Sequence, residues 1–159
     1  MQTVVIYDSK FGNTARIAEA IARGLAAAGS VRVLNAGDAV PAFAERPDLL
    51  VVGGPTQRRG LSPALRLLVD ALPQGLRGVP AASFDTRYRG ATLLMGSAAA
   101  EAAKRLAKAG GRLVAPPASF FIARSGPMER QGLEAGELER AEAWAAGLAA
   151  AVAGRTTAA

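Results

Sequence analysis

A chain of 159 residues, half of them hydrophobic but only 5% aromatic, has the supply for one core built from Ala, Val, Leu and Ile. It contains no cysteine and no histidine, which excludes disulfides, thiolate zinc sites, cysteine nucleophiles and imidazole relays, and leaves any chemistry to carboxylates, Lys, Tyr, hydroxyls or a bound cofactor. The net charge of +6, carried almost wholly by arginine, suits anionic ligands or partners.

In chain order, residues 2–7 form a short apolar run of the kind a buried parallel strand requires. Asp8-Ser9-Lys10-Phe11-Gly12-Asn13-Thr14 then turns the chain into a helix over 14–28, where Ile17, Ile21 and Leu25 recur every fourth position and Gly29 stands where a left-handed cap belongs. An anion at the start of that helix would meet unpaired backbone N–H groups and the favourable end of the helix dipole, with Ser9, Asn13 and Thr14 adding side-chain donors. Strands follow at 31–35 and 48–54. Between them Asp38, Pro41 and Pro47 leave room in 36–47 for only a short or irregular helix.

Ser62-Pro63 reads as an N-cap followed by a first-turn proline, and Leu65, Leu68, Val69 and Leu72 make one stripe of a helix over 62–72. A fourth strand is expected at 79–84. Ser97 caps a third helix that runs to about Ala109 and closes at Gly110, and a fifth strand covers 113–122. Leu138, Ala141, Ala145, Leu148 and Val152 define the buried face of a last helix, with Trp144 on its core side and the chain fraying from Gly154.

Alternating strand and helix periods predict an α/β fold with a doubly wound five-stranded parallel sheet in three layers, because right-handed crossovers put helices on both faces. One domain over 1–154 with a frayed tail at 155–159 is expected. No apolar run approaches the roughly 20 residues that span a bilayer, and Met1-Gln2-Thr3 does not open a basic-then-apolar leader, so a soluble cytoplasmic protein is expected. Ligands of such sheets sit at the carboxyl ends of strands. The loops at 8–13, 55–61 and 85–90, each polar with a glycine within or beside it, should therefore share one crevice.

Ser9-Lys10-Phe11-Gly12-Asn13-Thr14 resembles the phosphate loop of short-chain flavodoxins, T/S-x-T-G-N-T. The resemblance extends through Gly53-Gly54-Pro55-Thr56 and Phe84-Asp85-Thr86 to Gly136-Glu137-Leu138-Glu139, nearly the whole chain. It implies strand order 2-1-3-4-5, which is the flavodoxin-like order of doubly wound sheets. It further implies FMN as cofactor, with the phosphate held by Ser9, Lys10, Phe11, Gly12, Asn13 and Thr14. The flavin ring would lie between Pro55, Thr56, Gln57, Arg58, Arg59 and Gly60 on one side and Asp85, Thr86, Arg87 and Tyr88 on the other, with Tyr88 stacking. Asn13 would brace the turn, and Thr56, Gln57 and Asp85 would face the ribityl chain or ring edge.

Two departures from the family pattern matter. Phe11 takes the place of a second hydroxyl, and Arg58-Arg59 stand where family members often have an aromatic ring and a glycine. A planar guanidinium from Arg58 could stack in the aromatic's place and raise the flavin potential. Arg58, Arg59, Arg66, Arg87 and Arg89 would surround the crevice with only Asp8 and Asp85 nearby, which suits an acidic redox partner protein, a small anionic substrate or NADPH.

The leading expectation is an electron-transferring flavoprotein with no catalytic acid or base and no metal. An FMN-dependent oxidoreductase of quinone or porphyrinogen type is the alternative, and a flavin-free anion or nucleic-acid binding module ranks third, since interleaved aromatics for base stacking are missing. A phosphorylated receiver is disfavoured, because the third strand ends Val51-Val52-Gly53-Gly54 without an acceptor aspartate.

Overall fold

The structure, a computed structural model, describes residues 1–38, 46–57, 59–72, 76–127 and 131–156, the side chains of Thr92, Leu93, Arg155 and Thr156 excepted. Strand β1 (Gln2–Tyr7) lies between β2 (Ser30–Asn35) and β3 (Leu49–Pro55), with Val5 opposite both Val33 and Val51. Strand β4 (Pro80–Arg87) adds to the far edge of β3, and all of these pairs are parallel. With the short β5 (Arg112–Leu113) beyond β4, the order β2-β1-β3-β4-β5 is that of a doubly wound, flavodoxin-like sheet with helices on both faces.

The strands read as continuous apolar runs because both faces are covered. Leu49, Leu50, Val51 and Val52 are all fully buried, yet they divide by period two: Leu50 and Val52 join Val4 and Ile6 on one face, Leu49 and Val51 join Val5 on the other. The first face is covered by α2 (Pro63–Ala71) and α4 (Ala98–Lys108), through Leu65, Leu68, Ala102 and Leu106. The second carries α1 (Asn13–Leu25) and α5 (Glu137–Thr156), through Ile17, Ile21, Ala141, Ala145 and Leu148. Gly24 lets these two helices approach closely, since a Cβ there would collide with the carbonyl of Glu142 and come within 2.9 Å of the Ala145 methyl.

The helix ends follow their capping residues. Ser62 accepts a hydrogen bond from the Leu65 N–H at 3.4 Å with Pro63 opening α2, and Ser97 accepts one from the Ala100 N–H at 3.1 Å at the start of α4. Gly110, at φ 93°, closes α4. Trp144 packs edge-on against Phe120, ring centroids 6.1 Å apart, as part of the core.

The expected fifth strand over 113–122 is two strands. β5 (Arg112–Leu113) pairs with Pro80 and Ala81, and β6 (Ala118–Phe121) pairs with Phe84 through Arg87, so both lie along β4. Pro116 and Pro117 break the ladder between them, having no N–H to give it. A four-residue helix, α3 (Thr92–Met95), precedes α4 and is too short to carry a periodic stripe.

Helix α1 gives way at Ala26 to a 3-10 turn, and Gly29 adopts φ 143° and ψ −156° against the backbone of Met1, an extended mirror conformation rather than a left-handed cap. In 36–47 a 3-10 turn covers Ala36–Asp38, and 39–45 lie outside the described residues. Helix α5 continues past Gly154 to Thr156; 157–159 lie outside the described residues. Among the described residues no helix is long and apolar enough to cross a membrane.

Candidate functional site

The carboxyl ends of β1, β3 and β4 deliver their loops to one cavity of about 420 Å³. Ser9, Lys10, Phe11, Asn13 and Thr14 line it from the first loop, Pro55, Thr56, Gln57 and Arg59 from the second, and Thr86, Arg87 and Tyr88 from the third. Of the expected residues, Gly12, Gly60 and Asp85 do not line it, and Arg58 lies outside the described residues. Met95 and Ile122 also line the cavity and were not anticipated. Ile122 follows the end of β6, so extending the strand-end rule to the last strand would have found it.

In the first loop Gly12 takes φ 86°, a left-handed conformation that turns the chain into α1. A Cβ at Gly12 would meet nothing within 4 Å, so glycine is required there for its backbone angle and not for space. Ser9 Oγ accepts from the N–H of Gly12 at 3.1 Å and of Ala15 at 3.4 Å, which closes the turn and leaves its single proton available to a ligand. The N–H groups of Asn13 and Thr14, in the open first turn of the helix, find no acceptor among the described residues. Thr14 Oγ1 shares a 2.7 Å hydrogen bond with Thr86 Oγ1, which ties this loop to the end of β4. The Asn13 side chain does not brace its own turn; its Nδ2 donates to the Gln131 carbonyl at 2.7 Å.

Asp85 is fully buried and faces away from the cavity, against the expectation that it would face the ribityl chain or ring edge. Its Oδ2 accepts from Thr56 Oγ1 at 3.0 Å, from Ser97 Oγ at 2.6 Å and from the Ala99 N–H at 3.1 Å. Thr56 Oγ1 accepts in turn from the Ala98 N–H at 3.0 Å. One carboxyl group thus joins the second loop to the N-terminus of α4, where a negative charge is favoured by the helix dipole. The short range of sequence reasoning hid this, because the partners at 56 and 97–99 come from other elements.

The second loop is a tight turn in which Gln57 and Gly60 exchange backbone hydrogen bonds, both 2.9 Å, with Arg59 at φ 74°. Beneath it lies Glu101, which accepts from the Leu61 N–H at 2.8 Å, from Arg66 Nε at 3.0 Å and from Arg105 Nε at 3.0 Å. Burial pushes the Glu101 carboxyl up, but the Leu61 N–H and the two guanidinium groups outweigh it and hold the group below the usual carboxylate range. Arg105 is raised, first by its hydrogen bond to Asp70.

The arginine-rich rim is therefore more nearly neutral than the sequence suggests. Arg66 is paired with Glu101, and Arg89 with Glu134 at 2.7 Å, whose hydrogen bond raises the arginine further. Neither lines the cavity. Arg87 Nε donates to Ser119 Oγ at 3.0 Å and stands 3.8 Å from Asp85 Oδ1. The compensating acids lie 35 and 45 positions away in sequence, out of reach of a local reading. Cations that line the cavity are Lys10, Arg59 and Arg87. Tyr88 donates its hydroxyl proton to Gln131 Oε1, and the Arg124 guanidinium lies 4.9 Å from the centre of its ring.

These features fit a flavin nucleotide: a cavity within the roughly 300–1,000 Å³ of small-molecule sites, an aromatic ring on one wall, and open helix N–H groups beside a hydroxyl that can donate its proton. No curated protein matches the chain in sequence. Among solved structures it is similar to an archaeal flavodoxin, with a TM-score of 0.75, 19% identity, and 96% of this chain and 99% of the other covered. Oxidised flavodoxin 1 from Bacillus cereus superposes with a TM-score of 0.76 at 20% identity, over 93% and 97% of the two chains. Rubredoxin:oxygen oxidoreductase from Desulfovibrio gigas gives a TM-score of 0.74 at 17% identity, over 98% of this chain but 37% of the larger one. The sequence model of the flavodoxin family matches residues 5–144, and the chain belongs to that family, whose cofactor is FMN.

Proposed function

We propose that the protein is an electron carrier that binds FMN in the cavity at the carboxyl ends of β1, β3 and β4. The observation that carries this reading is the convergence of the Ser9–Thr14 turn, Thr56 and Tyr88 on a single cavity. FMN supplies reversible electron transfer through its ring; the protein's residues bind, orient and shield it. The Ser9 hydroxyl and the N–H groups of Asn13 and Thr14 hold the phosphate, and Lys10 adds a nearby positive charge. Thr56, positioned from behind by Asp85, and Gln57 would meet the ribityl and ring-edge region, and Tyr88 offers the ring a stacking surface.

Exposed Lys10 on the cavity wall, with the partly exposed Phe11 ring beneath its ammonium group, favours a redox partner that presents an acidic face. The pairing of Arg66 and Arg89 with Glu101 and Glu134 removes support from a nucleic-acid or general anion-binding role for this crevice. Titrating the apoprotein with FMN, followed by reductive titration of the complex, tests the reading. Stoichiometric binding with reversible reduction is expected, and a protein that fails to bind FMN refutes it.

A further inference from the structure

A fourth segment reaches the cavity from the last strand. Just after β6 an antiparallel bridge joins Ile122 to Leu133, with the Ala123 N–H donating to the Gly132 carbonyl at 2.9 Å. Gln131, next to Gly132, holds three groups. Its backbone carbonyl accepts from Asn13 Nδ2 at 2.7 Å, its Nε2 donates to the Gly126 carbonyl at 2.8 Å, and its Oε1 accepts from the Tyr88 hydroxyl. The amide cannot be turned over, because the Gly126 carbonyl only accepts; Oε1 must face Tyr88, and Tyr88 must donate.

The two residues gripped here line the cavity from different loops: Asn13 from the turn assigned to the phosphate, Tyr88 from the loop assigned to the ring. They are far apart in sequence, yet one residue spans them. We propose that Gln131 is a positioning residue for FMN, fixing the Tyr88 ring relative to the phosphate turn. This inference rests on the FMN reading above. Its side chain acts on the ring end only, since the bond to Asn13 uses the backbone and survives a change of side chain.

A double-mutant cycle tests it, using Gln131→Ala, Tyr88→Phe and the combined variant. Tyr88→Phe removes only the hydroxyl and keeps the ring, so it stands as an independent arm should Gln131→Ala fold poorly. Each single variant is expected to weaken FMN about tenfold, the worth of one hydrogen bond, and the combined variant no more than either alone. Riboflavin, which lacks the phosphate, should weaken by the same factor, and the visible circular dichroism of bound FMN should change in the same way in all three. Wild-type affinity in both single variants, additive losses in the pair, or an unchanged dichroism spectrum would overturn the role of Gln131 while leaving FMN binding intact. A wild-type protein that binds no FMN would remove both readings together.

Discussion

Replacing Asp85 by alanine exposes how far the site depends on one buried carboxyl group. Asp85 Oδ2 accepts three hydrogen bonds, from Thr56 Oγ1 at 3.0 Å, Ser97 Oγ at 2.6 Å and the Ala99 N–H at 3.1 Å, in a residue with no solvent exposure. In Asp85→Ala the Ala99 N–H is left buried without a partner, which costs about 1–3 kcal/mol, and the two hydroxyls each lose about 1 kcal/mol. The total is on the order of 4 kcal/mol, a large share of the roughly 5–15 kcal/mol that holds a typical domain together.

Asp85→Asn keeps one acceptor in place and should cost much less, about 1–2 kcal/mol, since its amide NH₂ is set where Oδ1 now faces Arg87 Nε at 3.8 Å. Urea unfolding of the apoproteins, followed by far-ultraviolet circular dichroism and linear extrapolation, measures both. FMN affinity should fall with stability, because Thr56 loses the acceptor that orients it at the cavity wall. An alanine variant within about 1 kcal/mol of wild type would refute the reasoning. So would an asparagine variant more stable than wild type, which would mean that the buried carboxyl is a net liability that its hydrogen bonds do not offset.

Ser9→Ala removes the acceptor that closes the first turn and the proton it offers, so FMN should bind about tenfold more weakly while riboflavin binds unchanged; calorimetric titration with both ligands separates the two. Gly53→Ala drives a Cβ into the Phe84 ring between β3 and β4, and should cost about 2 kcal/mol; a thermal midpoint that does not move would contradict the packing. Glu101 is held below its ordinary range, so the stability it adds is present in full above the unfolded carboxylate value of about 4.3 and lost as pH falls through the lower folded value. The stability gap between wild type and Glu101→Gln should accordingly be widest near neutrality and shrink under acid conditions, and urea midpoints across that range would show a constant gap if the Leu61 and arginine contacts were unimportant.

Much of the architecture was legible because it follows from local chemistry. The continuous apolar run Leu49 through Val52, the fourfold spacing of Ile17, Ile21 and Leu25, and the Ser62-Pro63 and Ser97 caps each act within one turn or one strand, so a short window of sequence contains the whole cause. The glycine-bearing turn after β1 is of the same kind, since the φ of Gly12 is a property of that residue. The split of the last strand was also present in Pro116-Pro117, and an apolar flank of Val114 and Phe120 masked it.

What the chain alone determined, then, is the alternation of elements, the faces they bury and the loops that reach the crevice, because those depend on neighbours three or four residues away. Only the tertiary structure decided how the polar groups are spent. Asp85 turns inward to α4, Asn13 and Tyr88 both reach Gln131, and Arg66 and Arg89 are neutralised by acids 35 and 45 residues distant. Hydrogen bonds and ion pairs need their partners within about 3–4 Å in space and take no account of separation along the chain, so their pairing follows the packing of the layers and not the order of the residues.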